Sequence, residues 1–441
     1  MKNVFSICFA FLLSFTLALP TVSAVGQNDA YRSYIQKTQK ETTIKPNVKI
    51  KGKISDNANN YPIVLVHGLG GWGRDEMHGY RYWGGLTDIE KDMKKKGLTV
   101  YTAAVGPVSS NWDRAVELYA QVKGGRVDYG KAHAEKHGHD RYGRTYEGFY
   151  PEWGEINPST GKVNKIHLVG HSLGGQTIRL LDELIESGYK EEREATPSDD
   201  RSPLFNQENR AWIHSVTTVT TPHDGSPFAY TVDNFFPHIQ QLIGFAAAAT
   251  GKKDEFFYDF KLDQWGLKRE QGESYKSYFN RVKNSAIWKR SLDTSQWDLA
   301  PEGARDLNEW VTSRDDVYYF SISAEQTYKN IFTGYHLPGP LMNPIMYASG
   351  FQIGRYTQND NNGKVKIDKS WWENDGLVSV VAMDGPMTET SVPYKGTPQK
   401  GVWNDMGVLH HFDHLDVIGL GIRDMRDWYN DLGQYLNHLP D

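Results

Sequence analysis

The clearest hydrophobic pattern in the chain is a set of short apolar runs rich in β-branched residues. Ile63–Val66 and residues 166–169 are such runs, and each leads into a glycine-containing turn. Continuous apolar runs of this length are typical of strands buried on both faces of a parallel sheet. Similar patterns predict strands at 215–219, 318–322 and 377–381. Because stretches with helical periodicity lie between these runs, the pattern predicts an α/β fold with a mostly parallel central sheet flanked by helices.

One of these apolar runs leads directly into a G-x-S-x-G sequence, Gly-His-Ser-Leu-Gly at residues 170–174. The residues after it have helical periodicity, with apolar side chains at 178, 181, 184 and 185. A strand, a tight turn and a helix form the context in which this motif is a nucleophile elbow, and the glycines are needed because a side chain would collide there. The motif therefore predicts an α/β-hydrolase fold with Ser172 as the nucleophile.

A glycine-rich stretch follows the first predicted strand, with the sequence HGLGGWG at residues 67–73. In α/β-hydrolases the loop after an early strand supplies one N–H to the oxyanion hole, and the residue after the nucleophile supplies another. This assigns the backbone N–H groups of Leu69 and Leu173. A phosphate-binding loop is disfavoured because the stretch does not end in G-K-[ST].

The remaining members of a catalytic triad are expected in the C-terminal third, since the chain order in this fold is Ser, acid, His. Asp375 is the preferred acid because E-N-D-G-L-V places it on a turn beside a predicted strand. His414 is the preferred base because it lies in a loop that leads into apolar residues. The spacing leaves other candidates open: Asp384, Asp405 and Asp413 for the acid, and His410 and His411 for the base.

The N-terminal residues and the composition indicate where the protein functions and which partners it has. Residues 1–24 have a basic start, an apolar run and a final V-S-A, which predicts a secretory signal peptide. Cys8, the only cysteine, lies within it, so the mature chain has no disulfide.

Residues 25–57 are predicted to be a flexible polar lead, and residues 58–441 are predicted to be the hydrolase domain. The net charge is −5 without a polybasic patch, which excludes a nucleic-acid partner. No further stretch predicts a transmembrane segment.

Many segments of the chain, in order, resemble one family: the secreted true lipases of staphylococci and thermophilic bacilli. The resemblance begins at about Tyr61 and runs to the C-terminus. It implies that Asp375 and His414 complete the triad, and that the substrate is a triacylglycerol at an oil–water interface. It also implies a mobile helical lid at about 231–252. The matching segments are VHGLGGWGRDEM, YWGG, AVGPVSSNWDRA, VDYGKAHAEKHGH, GHSLGGQT, TTPHDGS, DFKLDQWG, ENDGLV, GVWNDMG and DHLDVIG.

The same resemblance implies metal ions. The zinc ligands of the family fall on Asp113, His133, His139 and Asp293. Two imidazoles and two carboxylates suit tetrahedral zinc, and such a site would clamp an inserted subdomain to the sheet domain. One calcium ligand of the family falls on Asp416. The next acid of that calcium site is replaced here by a glycine, and the loop that follows is shortened.

Two other interpretations remain open. A carboxylesterase or phospholipase of the same fold would share the triad and differ only in its pocket and lid. A secreted metal-binding or surface-binding protein with an inactive hydrolase fold is the second. The intact set of Ser172, Asp375 and His414 argues against inactivity.

Overall fold

The computed structural model describes residues 45–52, 55–230, 232–250, 258–421 and 423–441. The predicted signal peptide at 1–24 and most of the predicted lead at 25–57 lie outside these residues. Part of the lead packs against the domain. Val48 is buried, and its carbonyl accepts a hydrogen bond of 2.9 Å from the indole N–H of Trp428.

The strands form one large sheet and two hairpins. In chain order they are β1 (Ile63–Val66), β2 (Val100–Ala103), β3 (Gly125–Asp128), β4 (Tyr142–Tyr146), β5 (Ile166–His171), β6 (Ile213–Val219), β7 (Tyr318–Glu325), β8 (Thr327–Lys329), β9 (His336–Pro338), β10 (Ser391–Pro393) and β11 (Trp403–His410). The central sheet has seven strands in the order β10-β11-β7-β6-β5-β1-β2, and every neighbouring pair is parallel. The pairs β3–β4 and β8–β9 are antiparallel. The predicted mostly parallel central sheet is confirmed.

Helices cover both faces of the sheet. They are α1 (Ile89–Lys95), α2 (Asn111–Lys123), α3 (Lys131–His137), α4 (Leu173–Ser187), α5 (Lys190–Ala195), α6 (Val232–Thr250), α7 (Tyr275–Lys283), α8 (Ile287–Arg290), α9 (Ser295–Asp298), α10 (Pro301–Asn308), α11 (Tyr347–Ile353) and α12 (Arg426–Asn437). Of the helices in the described ranges, none combines the length and the hydropathy that a bilayer span requires.

The burial of β1 explains its continuous apolar sequence. Ile63 and Leu65 face a core formed with α1, α6 and α12, whereas Val64 and Val66 face a second core formed with α2 and α4. Successive side chains of a strand point to opposite faces, so a strand covered on both faces has no polar position.

The strand predicted at 377–381 does not form. The segment is a turn followed by a short 3-10 helix at Val380–Ala382. Its first two N–H groups, those of Leu377 and Val378, donate to Asp375 Oδ1 at 2.9 and 2.8 Å. The apolar side chains therefore enter the core from a loop that folds around the buried carboxylate of Asp375. A buried loop of this kind has the same apolar composition as a strand, which explains the wrong prediction.

Candidate active site

Ser172 occupies the turn between β5 and α4 in a conformation that few non-glycine residues adopt, with φ 56° and ψ −131°. The two motif glycines make the turn possible. A Cβ at Gly170 would lie 2.5 Å from the backbone of Gly174, and a Cβ at Gly174 would lie 2.3 Å from the Val66 carbonyl oxygen. The turn raises Ser172 at the carboxyl edge of the sheet, directly before the N-terminus of α4.

Asp375 and His414 form a buried pair. His414 Nδ1 lies 2.6 Å from Asp375 Oδ2, and the backbone N–H of His414 donates to the Asp375 carbonyl at 3.0 Å. Because Asp375 Oδ1 accepts the N–H groups of Leu377 and Val378, both carboxylate oxygens have donors. These contacts fix the imidazole so that Nε2 is the nitrogen left for another partner.

The competing candidates have other roles or positions. Asp413 is buried and accepts backbone N–H bonds from Leu415 and Asp416, each at 2.9 Å, and burial raises its pKa to about 6. His410 pairs with Glu325 at 3.0 Å on the surface. The cavity described next is lined by none of the alternative candidates.

Ser172 and His414 line the same enclosed cavity. Most of its wall is apolar and comes from the glycine-rich loop at residues 67–73, named the oxyanion loop for its predicted role, the first turns after β6, the Asp375 loop and α6. The described residues that line it are Leu69, Tyr82, His171, Ser172, Ser226, Phe228, His238, Leu242, Leu299, Leu377, Val378, His414 and Leu415. Such a wall suits an apolar ligand that reaches the serine.

The predicted oxyanion donors flank the serine. A Cβ at Gly68 would lie 2.6 Å from Ser172 Cβ and 3.1 Å from its Oγ, so the oxyanion loop passes very close to the hydroxyl. Leu69 lines the cavity, and Leu173 is the first residue of α4. Within the part of the chain that the structure describes, neither N–H has a hydrogen-bond acceptor.

A chain of hydrogen bonds links the oxyanion loop to His414. The Gly68 N–H donates to the Tyr82 hydroxyl at 2.9 Å, and that hydroxyl lies 2.6 Å from His171 Nδ1. His171 Nε2 lies 2.9 Å from the His414 carbonyl oxygen. Since a carbonyl only accepts, the proton of His171 is on Nε2, and its Nδ1 accepts from Tyr82. Burial and the neighbouring His414 hold the pKa of His171 well below its usual value, so it stays neutral.

Sequence patterns alone do not predict this chain of hydrogen bonds. His171 stands at a variable position of the G-x-S-x-G motif, and the Tyr82 that pairs with it is 89 residues away. No spacing rule connects the two positions. An aromatic residue shortly after the glycine loop was the only signal, and it is too common to be diagnostic.

Helix α6 covers the cavity where the lid is predicted. His238 and Leu242 line the cavity, and Phe236 and Ile239 are buried with them. Burial and the neighbouring His414 lower the pKa of His238 to about 4. Of the predicted lid at 231–252, residues 231, 251 and 252 lie outside the described residues.

A second cluster of polar side chains lies apart from the cavity, where α2 meets the β3–β4 region. His133 Nε2 lies 3.5 Å from Asp113 Oδ1 and 3.3 Å from Asp293 Oδ2, and His139 Nε2 lies 4.0 and 3.3 Å from the same two atoms. All four atoms are buried and lack a hydrogen-bond partner among the described residues. The predicted zinc residues therefore converge as one group able to hold a metal ion.

Neighbouring residues fix the orientation of these ligands. Gln264 Nε2 donates to Asp113 Oδ2 at 2.6 Å, and His139 Nδ1 lies 2.9 Å from the Asp140 carbonyl. The ring of His133 stacks on Trp112 at 4.8 Å. Although burial lowers the pKa of His133, its carboxylate neighbours raise it to about 9. The group therefore attracts positive charge at its centre.

The residues around Asp416 do not fit calcium. Arg423 Nε lies 3.6 Å from Asp416 Oδ2, both side chains are buried, and Arg423 Nη2 donates to the His411 carbonyl at 2.8 Å. Calcium requires about six to eight oxygen ligands, whereas a guanidinium beside the carboxylate repels a divalent cation. Among the described residues, Asp416 also belongs to no group of three or more His, Cys, Asp or Glu side chains that could share an ion.

Comparisons with known proteins agree with this architecture. The family model of the lipase-like C-terminal domain matches residues 59–441. Lipase 1 of Staphylococcus aureus strain MRSA252 is 38% identical over 423 residues, covering 94% of this chain and 59% of that protein. The chain thus spans about three fifths of the length of the curated relatives it matches.

Two solved structures are similar over nearly their whole length. Lipase 1 from Pelosinus fermentans has 49% sequence identity and a TM-score of 0.80, with 87% of this chain and 100% of that chain covered. EstA from Clostridium botulinum has 41% identity and a TM-score of 0.80, with 92% and 98% covered.

Proposed function

Because the chain belongs to the lipase family whose C-terminal domain model it matches over residues 59–441, we propose that it is a triacylglycerol lipase. The observation that carries the proposal is the placement of Ser172, on a strained turn, in one apolar cavity with a His414 that is oriented by Asp375. Its substrate is a long-chain acyl ester presented at an oil–water interface.

The geometry gives each residue a step. His414 takes the proton of Ser172 as the hydroxyl attacks the ester carbonyl, and Asp375 stabilises the imidazolium that forms. The N–H groups of Leu69 and Leu173 hold the oxyanion. Loss of one such donor costs about 2.7–4 kcal/mol of transition-state stabilisation. His414 then protonates the leaving alcohol, and the same groups activate water to release the acid from the acyl-enzyme.

The cavity wall and α6 favour a lipase over an esterase for dissolved substrates. An apolar wall accommodates a long acyl chain, and a helix that contributes His238 and Leu242 to that wall has to move before a large glyceride enters. We expect higher activity on emulsified long-chain glycerides than on dissolved short-chain esters. A clear preference for the dissolved ester would instead indicate a carboxylesterase.

The test uses covalent labelling by an organophosphorus inhibitor together with rates across an acyl-chain series. Ser172→Ala should lose both labelling and hydrolysis of every ester. Ser226→Ala is the matched control because Ser226 lines the same cavity, and it should still be labelled. Full labelling of Ser172→Ala would show that the nucleophile has been misassigned.

The metal group at Asp113, His133, His139 and Asp293 is proposed to bind one structural zinc ion. Ligands about 2.0–2.1 Å from a tetrahedral zinc lie about 3.3 Å from each other, close to three of the four separations measured. When bound, zinc would supply a cross-link between α2 and the region of α3. Metal analysis of the dialysed protein should find one zinc per chain and none in His133→Ala. His137→Ala is the control, since this neighbouring histidine is outside the group.

Secretion is proposed from residues 1–24, which carry the features of a signal peptide. In a bacterial host, the protein recovered from the medium should begin at residue 25. A chain that starts at residue 25 should stay inside the cells. Recovery of the intact N-terminus from the medium would contradict cleavage at this position.

A further inference from the structure

Exposed large hydrophobic side chains concentrate in one short part of the chain. Ten are exposed among the described residues, and six of these ten lie between positions 328 and 351. Ile331 and Phe332 at the tip of the β8–β9 hairpin are 87% and 89% exposed, the highest values of the set. The six residues are Tyr328, Ile331, Phe332, Tyr335, Leu341 and Phe351. A cluster of this kind indicates an interaction surface rather than scattered apolar positions.

The hairpin tip is held in place by its own hydrogen bonds. The Asn330 carboxamide oxygen accepts the N–H groups of Phe332 and Thr333, each at 3.0 Å. The Asn330 carbonyl accepts the N–H of Gly334 at 2.8 Å, and the Asn330 N–H donates to the Tyr335 carbonyl at 2.8 Å. The turn therefore presents two apolar side chains to solvent in a fixed geometry.

The base of the hairpin rests on the loop that carries Asp375. The Gln326 N–H donates to the Asn374 carbonyl at 3.1 Å, and the Asn374 N–H donates to Thr327 Oγ1 at 3.2 Å. The hairpin continues from the carboxyl end of β7, which is parallel to β6 and, through it, to β5. The tip thus extends from the same edge of the sheet at which Ser172 follows β5.

We propose that Ile331 and Phe332 insert into the surface of a lipid droplet and hold the active-site edge of the sheet against it. This inference rests on the proposed lipase function. The tip, residues 330–335, contains no charged residue, so its chemistry fits an apolar interface and not a charged macromolecule. Burying two such side chains in lipid corresponds to a droplet affinity at least about tenfold higher than without them.

The binding test uses the full mature chain with Ser172→Ala, so that the lipid is not consumed. Sedimentation with triolein droplets coated with phosphatidylcholine measures the bound fraction. Adding Ile331→Ser and Phe332→Ser should weaken binding at least about tenfold. The matched control adds Ile156→Ser and Met387→Ser, which are 62% and 54% exposed outside the cluster, and should leave binding unchanged. Equal losses in the two double variants, or no loss in either, would overturn the proposal.

An activity test separates this inference from the function on which it rests. With Ser172 intact, the Ile331→Ser/Phe332→Ser variant should keep the kcat/KM of the wild type on a dissolved short-chain ester and lose at least about tenfold on the emulsion. A wild type that binds droplets but hydrolyses no ester would refute the lipase function alone. A third outcome is that the wild type is a dimer in solution, whereas the tip variant is a monomer that binds droplets as well as the wild type. That outcome would show that the tip is an interface between copies of the chain, and it would refute insertion into the droplet.

Discussion

Removal of the Tyr82 hydroxyl tests whether the bonds behind the active site position it. This one oxygen accepts the Gly68 N–H at 2.9 Å and donates to His171 Nδ1 at 2.6 Å. Tyr82→Phe keeps the ring that lines the cavity and deletes only the atom that joins the oxyanion loop to His171. The change leaves two buried polar groups without a partner.

The expected loss is large for one atom. An unsatisfied buried donor or acceptor costs about 1–3 kcal/mol, so the two together lower the free energy of unfolding by about 2–6 kcal/mol. Catalysis should fall as well, because Gly68 precedes the proposed donor Leu69 and the His171 Nε2–H donates to the carbonyl of His414. Partial loss of an oxyanion donor corresponds to a decrease in kcat of about 10- to 100-fold, with KM little changed.

The assays are urea unfolding and steady-state hydrolysis of a dissolved chromogenic ester, and Tyr429→Phe is the matched control. Tyr429 is equally buried, and its hydroxyl has no hydrogen-bond partner among the described residues. Deleting this hydroxyl should leave kcat unchanged and stability equal or higher. If Tyr82→Phe behaves like Tyr429→Phe in both assays, the hydrogen-bonded chain has no positioning role.

Three further perturbations have expected outcomes. A strong chelator should lower the melting temperature, since a metal present at about 1,000 times its Kd stabilises the fold by about 4 kcal/mol; an unchanged melting temperature in calorimetry would refute a structural ion. Arg423→Met removes the buried guanidinium beside Asp416 and should cost up to about 3–5 kcal/mol of unfolding free energy, with Arg423→Lys losing less. Calcium should leave the melting temperature of the wild type unchanged. The lowered pKa of His238 means that its contribution to stability is complete above pH 6.5 and is lost as the pH falls towards 4. The protection factors of the α6 amides, which are corrected for the pH dependence of intrinsic exchange, should therefore fall between pH 6.5 and 4 in the wild type, and much less in His238→Gln.

Sequence patterns predicted the central strands well and the edge of the sheet poorly. β1, β5, β6 and β7 are covered on both faces, so their apolar runs are continuous and easily recognised. β11 reads WNDMGVLH, and only part of it is buried, so no alternation or continuous run marks it. The pattern at 377–381 failed for the opposite reason, because a buried loop also needs apolar side chains.

The candidate site was predictable where the chemistry is local. The turn at Ser172 depends on glycines within four residues of each other, and the sequence therefore contains the whole signal. Asp375 and His414 are 39 residues apart, and the sheet topology alone brings them together. Spacing left five alternatives open, local sequence context favoured these two residues, and the resemblance to lipases selected them independently. The droplet-facing tip had no signal, because Ile and Phe in a short turn resemble a strand end until their exposure is known.

The metal group and the active site share one helix, and this connection explains why the ion should affect stability more than chemistry. Asp113 faces the metal group from α2, and the next residue, Arg114, donates to the His67 and Gly106 carbonyls beside the oxyanion loop. Arg114 Nε also donates to Thr177 Oγ1 in α4 at 2.9 Å. Loss of the ion would release Asp113, whereas the bonds of Arg114 do not involve the metal group. These bonds of the buried Arg114 hold the oxyanion loop in place as long as α2 stays packed. Protein without the metal should therefore keep its hydrolytic activity at moderate temperature. It should lose that activity only near its melting transition, when the fold itself is lost.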